Sequence, residues 1–174
     1  MDEACLEVWE RSLHTQPPEF TDAIVEDYAP DDRDACLEVF QTNLPVFFTP
    51  EELGLYTSFL NALPGPYLVV RDSNHGVVAC GGYALRESGA IADMCWGMVR
   101  QDLHGLGIGK ALTLARVERI RGDGSVREIT LNTSQHTVGF YKRLGFEVVE
   151  VLPDGYAPGL DRCDMRLVLQ EGGG

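Results

Sequence analysis

The apolar positions of this chain fall into two spacings, which divide it into helices and strands. Leu6, Trp9 and Leu13 recur at helical spacing, so residues 1–14 read as a short helix closed by Pro17-Pro18. Residues 23–28 read as the first strand of the core. Residues 30–43 read as a helix, its first turn loaded with Asp31, Asp32 and Asp34, which suit the positive end of a helix dipole. Thr49-Pro50-Glu51-Glu52 has the form of a capping box with proline at the first helical position, and it predicts a helix over residues 50–60. Two apolar runs, 67–71 and 77–85, flank Ser73-Asn74-His75-Gly76 and predict a hairpin. Residues 91–99 predict a fourth strand, followed by a glycine-rich loop and a helix to about Arg121. After the turn at Gly122-Asp123-Gly124, residues 128–132 predict a strand. Residues 137–144 predict a helix ended by Gly145. Residues 146–151 and 162–169 predict the last two strands.

The strand–helix–strand unit over 91–132 implies two parallel strands joined by a right-handed crossover, and the other connections pair antiparallel. The expected fold is α/β (α+β): a mixed, mostly antiparallel sheet with helices on both faces. It forms one domain over residues 22–169, with a helical extension at 1–21 and a disordered tail at 170–174. Within the extension, Ala4-Cys5-Leu6-Glu7-Val8-Trp9 closely matches Ala35-Cys36-Leu37-Glu38-Val39-Phe40. A duplicated helix and two amphipathic helices built from similar residues both explain this. One such pair does not make a solenoid. The extension reads as an appendage that packs on the domain or on the second subunit of a homodimer.

A chain of 174 residues is long enough to bury roughly 70% of its unfolded surface. It holds no apolar run near the ~18 residues of a membrane span. Its start, Met1-Asp2-Glu3-Ala4-Cys5, lacks the basic and apolar regions of a signal peptide. The five cysteines are scattered without a C-x-x-C pair, which points to reduced thiols in a cytoplasmic protein and to no metal site. Cys95 reads as a buried structural thiol, with a reactive thiol as the functional alternative. The net charge of −13 argues against a nucleic-acid partner. It suits a cationic substrate such as an amine, or simply keeps the protein soluble.

The chemistry concentrates after the fourth strand. In His104-Gly105-Leu106-Gly107-Ile108-Gly109-Lys110-Ala111, three glycines at alternate positions open a helix. Glycine admits φ > 0 and a close approach of backbone N–H groups to a ligand. A helix starting there aims its unpaired N–H groups and positive dipole end into the same space, a site for an anion such as a pyrophosphate. The P-loop is excluded because Lys110 is followed by Ala111, and the dinucleotide fingerprint because the spacing is G-x-G-x-G. A ligand-free turn remains the alternative.

Downstream lie Ile129-Thr130-Leu131-Asn132-Thr133-Ser134 and Thr137-Val138-Gly139-Phe140-Tyr141-Lys142-Arg143-Leu144-Gly145-Phe146. The two stretches together resemble the GNAT superfamily of N-acetyltransferases, the first its acyl-CoA loop and the second its strand, helix and closing FYxxLGF signature. The resemblance covers residues 22–169. It implies that acetyl-CoA lies as co-substrate where the parallel strands splay apart. Backbone near Met98 and Val99 would hold the pantetheine arm, and His104, Gly105, Leu106, Gly107, Ile108, Gly109, Lys110 and Ala111 would wrap the pyrophosphate. His104 stands where the family prefers Arg or Gln. Asn132 and Ser134 are the candidates for the contact that the family often makes with an Asn, since Ser134 occupies that Asn's position. Tyr141 matches the family tyrosine that protonates the departing thiolate; packing on the sheet is its other role.

The general base is open. Asp93 is the first candidate: strict alternation puts it on one face with Cys95 and Val99, and an apolar strand would desolvate it and raise its pKa. Six residues of strand span roughly 20 Å, so it would act through water or across a bulge. A partly exposed structural Asp is the alternative, and Glu26, Asp27 and Glu87 are rivals. Phe47, Phe48, Tyr156, Asp161 and Arg162 are the candidate acceptor-binding residues, although Asp161 and Arg162 can equally pair with each other. The resulting expectation is an acetyl-CoA-dependent N-acetyltransferase attacking directly with a primary amine of a small molecule or protein. A non-catalytic acyl-CoA-binding module on the same fold and a scaffold acting through its N-terminal helix are the alternatives.

Overall fold

The computed structural model describes residues 23–169. The expected helix over 1–14, the remainder of the extension and the tail at 170–174 lie outside the described residues. Seven strands form one sheet: β1 (Ile24–Asp27), β2 (Tyr67–Asp72), β3 (Gly76–Leu85), β4 (Ile91–Val99), β5 (Glu128–Ser134), β6 (Glu147–Ala157) and β7 (Leu160–Val168). Their spatial order is β1-β2-β3-β4-β5-β7-β6. Every neighbouring pair is antiparallel except β4 and β5, which are parallel and bridged by α3 (Ile108–Gly122).

Helices cover both faces. On one, α1 (Arg33–Thr42) and α2 (Glu52–Asn61) bury Cys36, Val39, Phe40, Tyr56 and Leu60 against Val69, Cys80 and Met98 of the sheet. On the other, α3 sets Leu114, Val117 and Ile120 against Ala92, Met94 and Ile129. Its first turns set Ile108 and Leu112 against Leu68, Val70 and Ala79. The short α4 (Val138–Lys142) lies on this second face, with Phe140 and Tyr141 packed on the same core.

The elements follow the predicted pattern, with shifted ends. The 30–43 helix begins as a 3₁₀ turn over Pro30–Asp32. Half of the capping box forms: Thr49 N donates to Glu52 Oε2 at 2.7 Å, and α2 starts at Glu52. Gly145, at φ 88°, ends α4; its N–H donates to the Lys142 carbonyl, and Phe146 N to that of Tyr141. The largest departure is the stretch between the two last predicted strands, 146–151 and 162–169. It is instead the far part of a long hairpin, because β6 continues to Ala157 and β7 begins at Leu160. Register shifts between Leu152 and Ala157 absorb Pro153 and Gly155 without ending the strand.

Candidate active site

The sheet itself opens the cleft. β4 and β5 pair only from Ile91↔Glu128 to Asp93↔Thr130; beyond that point the two strands run on without pairing. At the same level β4 carries a bulge. Gly82 faces Cys95 and Cys80 faces Met98, so Trp96 and Gly97 together oppose the single residue Gly81. Trp96 sits at φ 45°, a left-handed backbone that a bulky side chain rarely adopts. Its ring is held at centroid distances of 4.9 Å from Tyr56, 6.0 Å from Phe48, 6.1 Å from Phe59 and 6.3 Å from Phe40, and this aromatic packing offsets the strain.

The extra residue reverses the alternation along β4. Ala92 and Met94 pack towards α3, Met98 towards α1 and α2, and Val99 back towards Ile108 and Leu112. Asp93 and Cys95 therefore share a face with Met98 and not with Val99, which corrects the shared face that strict alternation predicts.

The resulting cleft has a volume of about 1430 Å³. At its mouth Gly105 and Gly107 adopt φ of 84° and 85°, and Gly107 is the N-cap of α3. No side chain caps this helix. A Cβ placed on Gly105 would meet nothing within 4 Å, so the loop leaves an open cradle. Gly109 and Lys110 line the mouth, while Ile108 buries its side chain in the core with Leu106 against it. Ala111 donates its N–H to the Gly107 carbonyl inside the helix.

The Val99 carbonyl lies on the edge of β4 turned away from β3. It accepts from Asn43 Nδ2 at 2.8 Å, and His104 Nε2 sits 2.9 Å from it. Because Arg100 N donates to Val78 O on β3, the Val99 N–H faces the opposite way, into the gap. Met98 and Val99 both line the cleft.

Across the gap, half-buried Tyr141 packs edge-on against Phe140 and Phe146. Among the described residues nothing hydrogen-bonds its hydroxyl. Asn132 and Ser134 line the same side. The Tyr156 hydroxyl donates to Asn132 Oδ1 at 2.8 Å, which turns the Asn132 Nδ2 donor outward. Burial pushes the Tyr156 phenol up to about 12, so it remains a donor.

The candidate acceptor residues divide. Phe47 stands edge-on between His104 (5.1 Å) and His136 (6.3 Å) and so spans the cleft. Phe48 lines it but stacks on Phe40 at 5.0 Å, inside the aromatic cluster. Arg162 lines it and pairs with Asp164 through two contacts of 2.8 and 3.1 Å, not with Asp161. Asp161 is outside the cleft lining. Its carboxylate accepts from Asp154 N and its own N–H donates to Gln135 Oε1.

The expected upward shift of Asp93 is corrected as well. Asp93 lines the cleft, but Arg86 holds it by a fork of 2.7 and 2.8 Å and Thr130 donates to it. The guanidinium keeps its carboxyl below the usual carboxylate range, outweighing the upward push of burial. An Asp in this state is ionised throughout neutral pH and is a weak proton acceptor. Glu26 pairs with Arg71 and Asp27 with Arg119, Glu87 is exposed, and none of the three lines the cleft. We therefore expect Asp93→Asn to lower turnover by the same few-fold factor at pH 7 and pH 9, measured as pH–rate profiles on one amine. A loss confined to the lower pH would restore Asp93 as the base.

Among the lining residues that the sequence pattern does not mark are Asn43, Trp96, Arg116 and Arg143. Arg116 leaves a trace, since it interrupts the buried stripe of Leu112 and Ile120 on α3 at i,i+4 spacing. Cys95 is partly buried and lines the cleft, and desolvation pushes its thiol up to about 11. Among the described residues no three His, Cys, Asp or Glu side chains gather as a metal site, and no helix is long and apolar enough to cross a membrane.

A sheet split at its parallel pair, with an uncapped helix N-terminus at the mouth of the gap, is the framework of a CoA-dependent acyltransferase. Residues 56–169 match the acetyltransferase (GNAT) domain model, and the chain belongs to the GNAT acetyltransferase family. Solved structures share the fold. The ribosomal-protein-S18-alanine N-acetyltransferase of Escherichia coli superposes with a TM-score of 0.73 at 15% identity, covering 87% of this chain and 96% of that one. A phosphinothricin acetyltransferase from Sinorhizobium meliloti, solved with acetyl-CoA, gives 0.68 at 21%, covering 86% and 90%. A spermidine N-acetyltransferase from Vibrio cholerae gives 0.66 at 13%, covering 85% and 94%. No curated protein matches the chain.

Proposed function

We propose that this protein transfers the acetyl group of acetyl-CoA to a primary amine of a small molecule or a protein, by direct attack within a ternary complex. The observation that carries this is one cleft lined by the uncapped N-terminus of α3, by Val99, whose N–H points away from β3, and by Tyr141, whose hydroxyl no described residue engages. The residues suit the ligand. The open cradle at Gly105, the first-turn N–H groups of α3 and Lys110 suit a pyrophosphate. The Val99 N–H and Asn132 Nδ2 suit the amides of pantetheine. The cleft exceeds the roughly 300–1,000 Å³ of a drug-sized site and has room for a second substrate.

When bound, acetyl-CoA supplies an activated acyl carbon and a thiolate leaving group. The chain's own part is to orient and to stabilise. Asn43 and His104 fix the Val99 peptide, so its N–H is preorganised rather than recruited. Tyr141 stands ready to give a proton at its hydroxyl. With Asp93 committed to Arg86, the amine releases its proton to water in the open cleft. The fold neighbours act on a ribosomal protein and on spermidine, and a small amine or a protein amino group are both kept as acceptors here.

The test is a thermal melt with and without acetyl-CoA, followed by an amine panel read through thiol release. Binding at 100-fold above Kd should stabilise by about 2.7 kcal/mol, or roughly 5–10 °C for a domain of this size. CoA release should then appear with at least one amine. Binding without release with any amine would favour the non-catalytic module; no binding would remove both readings.

A further inference from the structure

Arg116 is the least expected residue in the molecule. It is 2% exposed, in the middle of α3. A guanidinium is charged at every pH a protein meets, and burying such a charge without an acid is costly. Yet among the described residues no carboxylate pairs with it. Its contacts are the Leu112 carbonyl at 3.4 Å, the Gly82 carbonyl at 3.4 Å and Thr113 Oγ1 at 3.3 Å, all at the long end of the range.

The sheet is cut away to admit it. A Cβ on Gly81 would lie 3.0 Å from Arg116 Nη1, and one on Gly97 would lie 2.8 Å from Nη2 and 2.9 Å from Nη1. Two strands thus give up their side chains at the level of the bulge to seat one cation. Gly97, Thr113 and Arg116 all line the gap, as does Tyr141 from α4 on the same face of the sheet. The titratable groups it acts on across the sheet are thiols: at Cys95 its field opposes the upward push of burial. Of the acidic groups lining the cleft, Asp93 and Asp164 are paired with Arg86 and Arg162, Glu52 accepts from Thr49 N, and Glu128 stands at the start of β5, while Lys110, Arg143 and Arg166 are the cleft's other cations. An uncompensated positive charge behind the wall of an acyl-transfer site calls for a negative charge that appears during the reaction.

We propose that Arg116 is a positioning residue whose buried guanidinium stabilises the sulfur anion formed in the gap between β4 and β5 as the acyl group leaves. This rests on the acetyl-transfer reading above. In that step the acceptor nitrogen bonds to the acyl carbon, the carbon–sulfur bond breaks, and its electron pair departs on sulfur. The nitrogen loses one proton to solvent, the sulfur takes one from Tyr141, and Tyr141 regains its proton from solvent. Arg116 makes no contact with either atom; it acts through the field it places on the far side of β4. Charge and proton are thus offered to one sulfur from two helices, by Arg116 on α3 and Tyr141 on α4.

The experiment follows the thiol of CoA itself. CoA carrying ¹³C at the carbon next to sulfur is titrated by NMR while bound to the wild-type protein, to Arg116→Met and to Arg116→Lys. Methionine keeps the length and removes the charge; lysine keeps the charge. A single charge at roughly 10 Å in a medium of effective dielectric near 20 shifts a titration by about one pH unit. The expected result is a bound-thiol midpoint about one unit lower in the wild type than in Arg116→Met, with Arg116→Lys recovering most of the difference. Turnover should fall about 10-fold in Arg116→Met at unchanged acetyl-CoA affinity. Equal midpoints in wild type and Arg116→Met, with CoA bound to both, would make Arg116 a packing residue and overturn the proposal. CoA binding to no form would overturn the acetyl-transfer reading and this one with it. Should Arg116→Met fail to fold, the comparison rests on the wild type and Arg116→Lys. A wild-type midpoint no lower than that of CoA free in solution would then overturn the proposal.

Discussion

Replacing Gly107 by valine is expected to abolish acetyl-CoA binding. Gly107 is the N-cap of α3 at φ 85°, where an L-residue costs roughly 1–2 kcal/mol and a β-branched one more. The isopropyl group would also stand in front of the first-turn N–H groups at the mouth. Hydrogen bonds to a charged group are worth about 1.5–3 kcal/mol each. Losing two lowers affinity at least 100-fold by that measure. The measurement is calorimetric titration with acetyl-CoA, alongside circular dichroism to show a folded domain. A folded Gly107→Val protein that binds as the wild type does would place the anion elsewhere.

Tyr141→Phe is expected to lower kcat by about 10-fold to 10³-fold and leave acetyl-CoA affinity nearly unchanged. Phenylalanine keeps the ring that packs on Phe140 and Phe146, so core and cleft retain their shape. What is removed is a hydroxyl that no described residue engages. A group that donates only as the bond breaks affects the rate of the step and not the binding that precedes it. Steady-state kinetics with one active amine, beside direct binding of acetyl-CoA, separate the two parameters. A kcat within twofold of the wild type would leave Tyr141 a packing residue.

Much of this site was legible from local chemistry. The glycines at 105 and 107 announce themselves because only glycine takes φ near 85° without strain, and the helix start follows from them. The order of strands and helices follows from apolar spacing, and with it the parallel pair. What stayed hidden depends on partners distant in sequence. The bulge at Trp96 requires a left-handed tryptophan, which local preference argues against and four rings from α1, α2 and the loop between them enforce. Strict alternation from Asp93 therefore assigns the wrong face to every residue of β4 beyond the bulge, Val99 included. The state of Asp93 turned on Arg86, seven residues away across a tight turn. An apolar strand suggests desolvation, while the turn that joins it to β3 supplies a cation. Arg116 was masked because a charged residue on a helix reads as solvent-facing until glycines on another element are seen to make room for it.

The unpaired edge of β4 has a consequence for how such a site is inherited. Its donors are main-chain atoms: the Val99 N–H and the first turn of α3. A strand edge recognises an amide-bearing guest much as it would another strand, so what the side chains at Met98 and Val99 must satisfy is the packing behind the strand and not the guest in front of it. The features that must persist are a gap, a bend and a few positions without a Cβ, and these are properties of shape more than of residue identity. A framework written in the backbone can survive where almost every letter has changed, as the fold itself does between this chain and structures that match it at 13–21% identity.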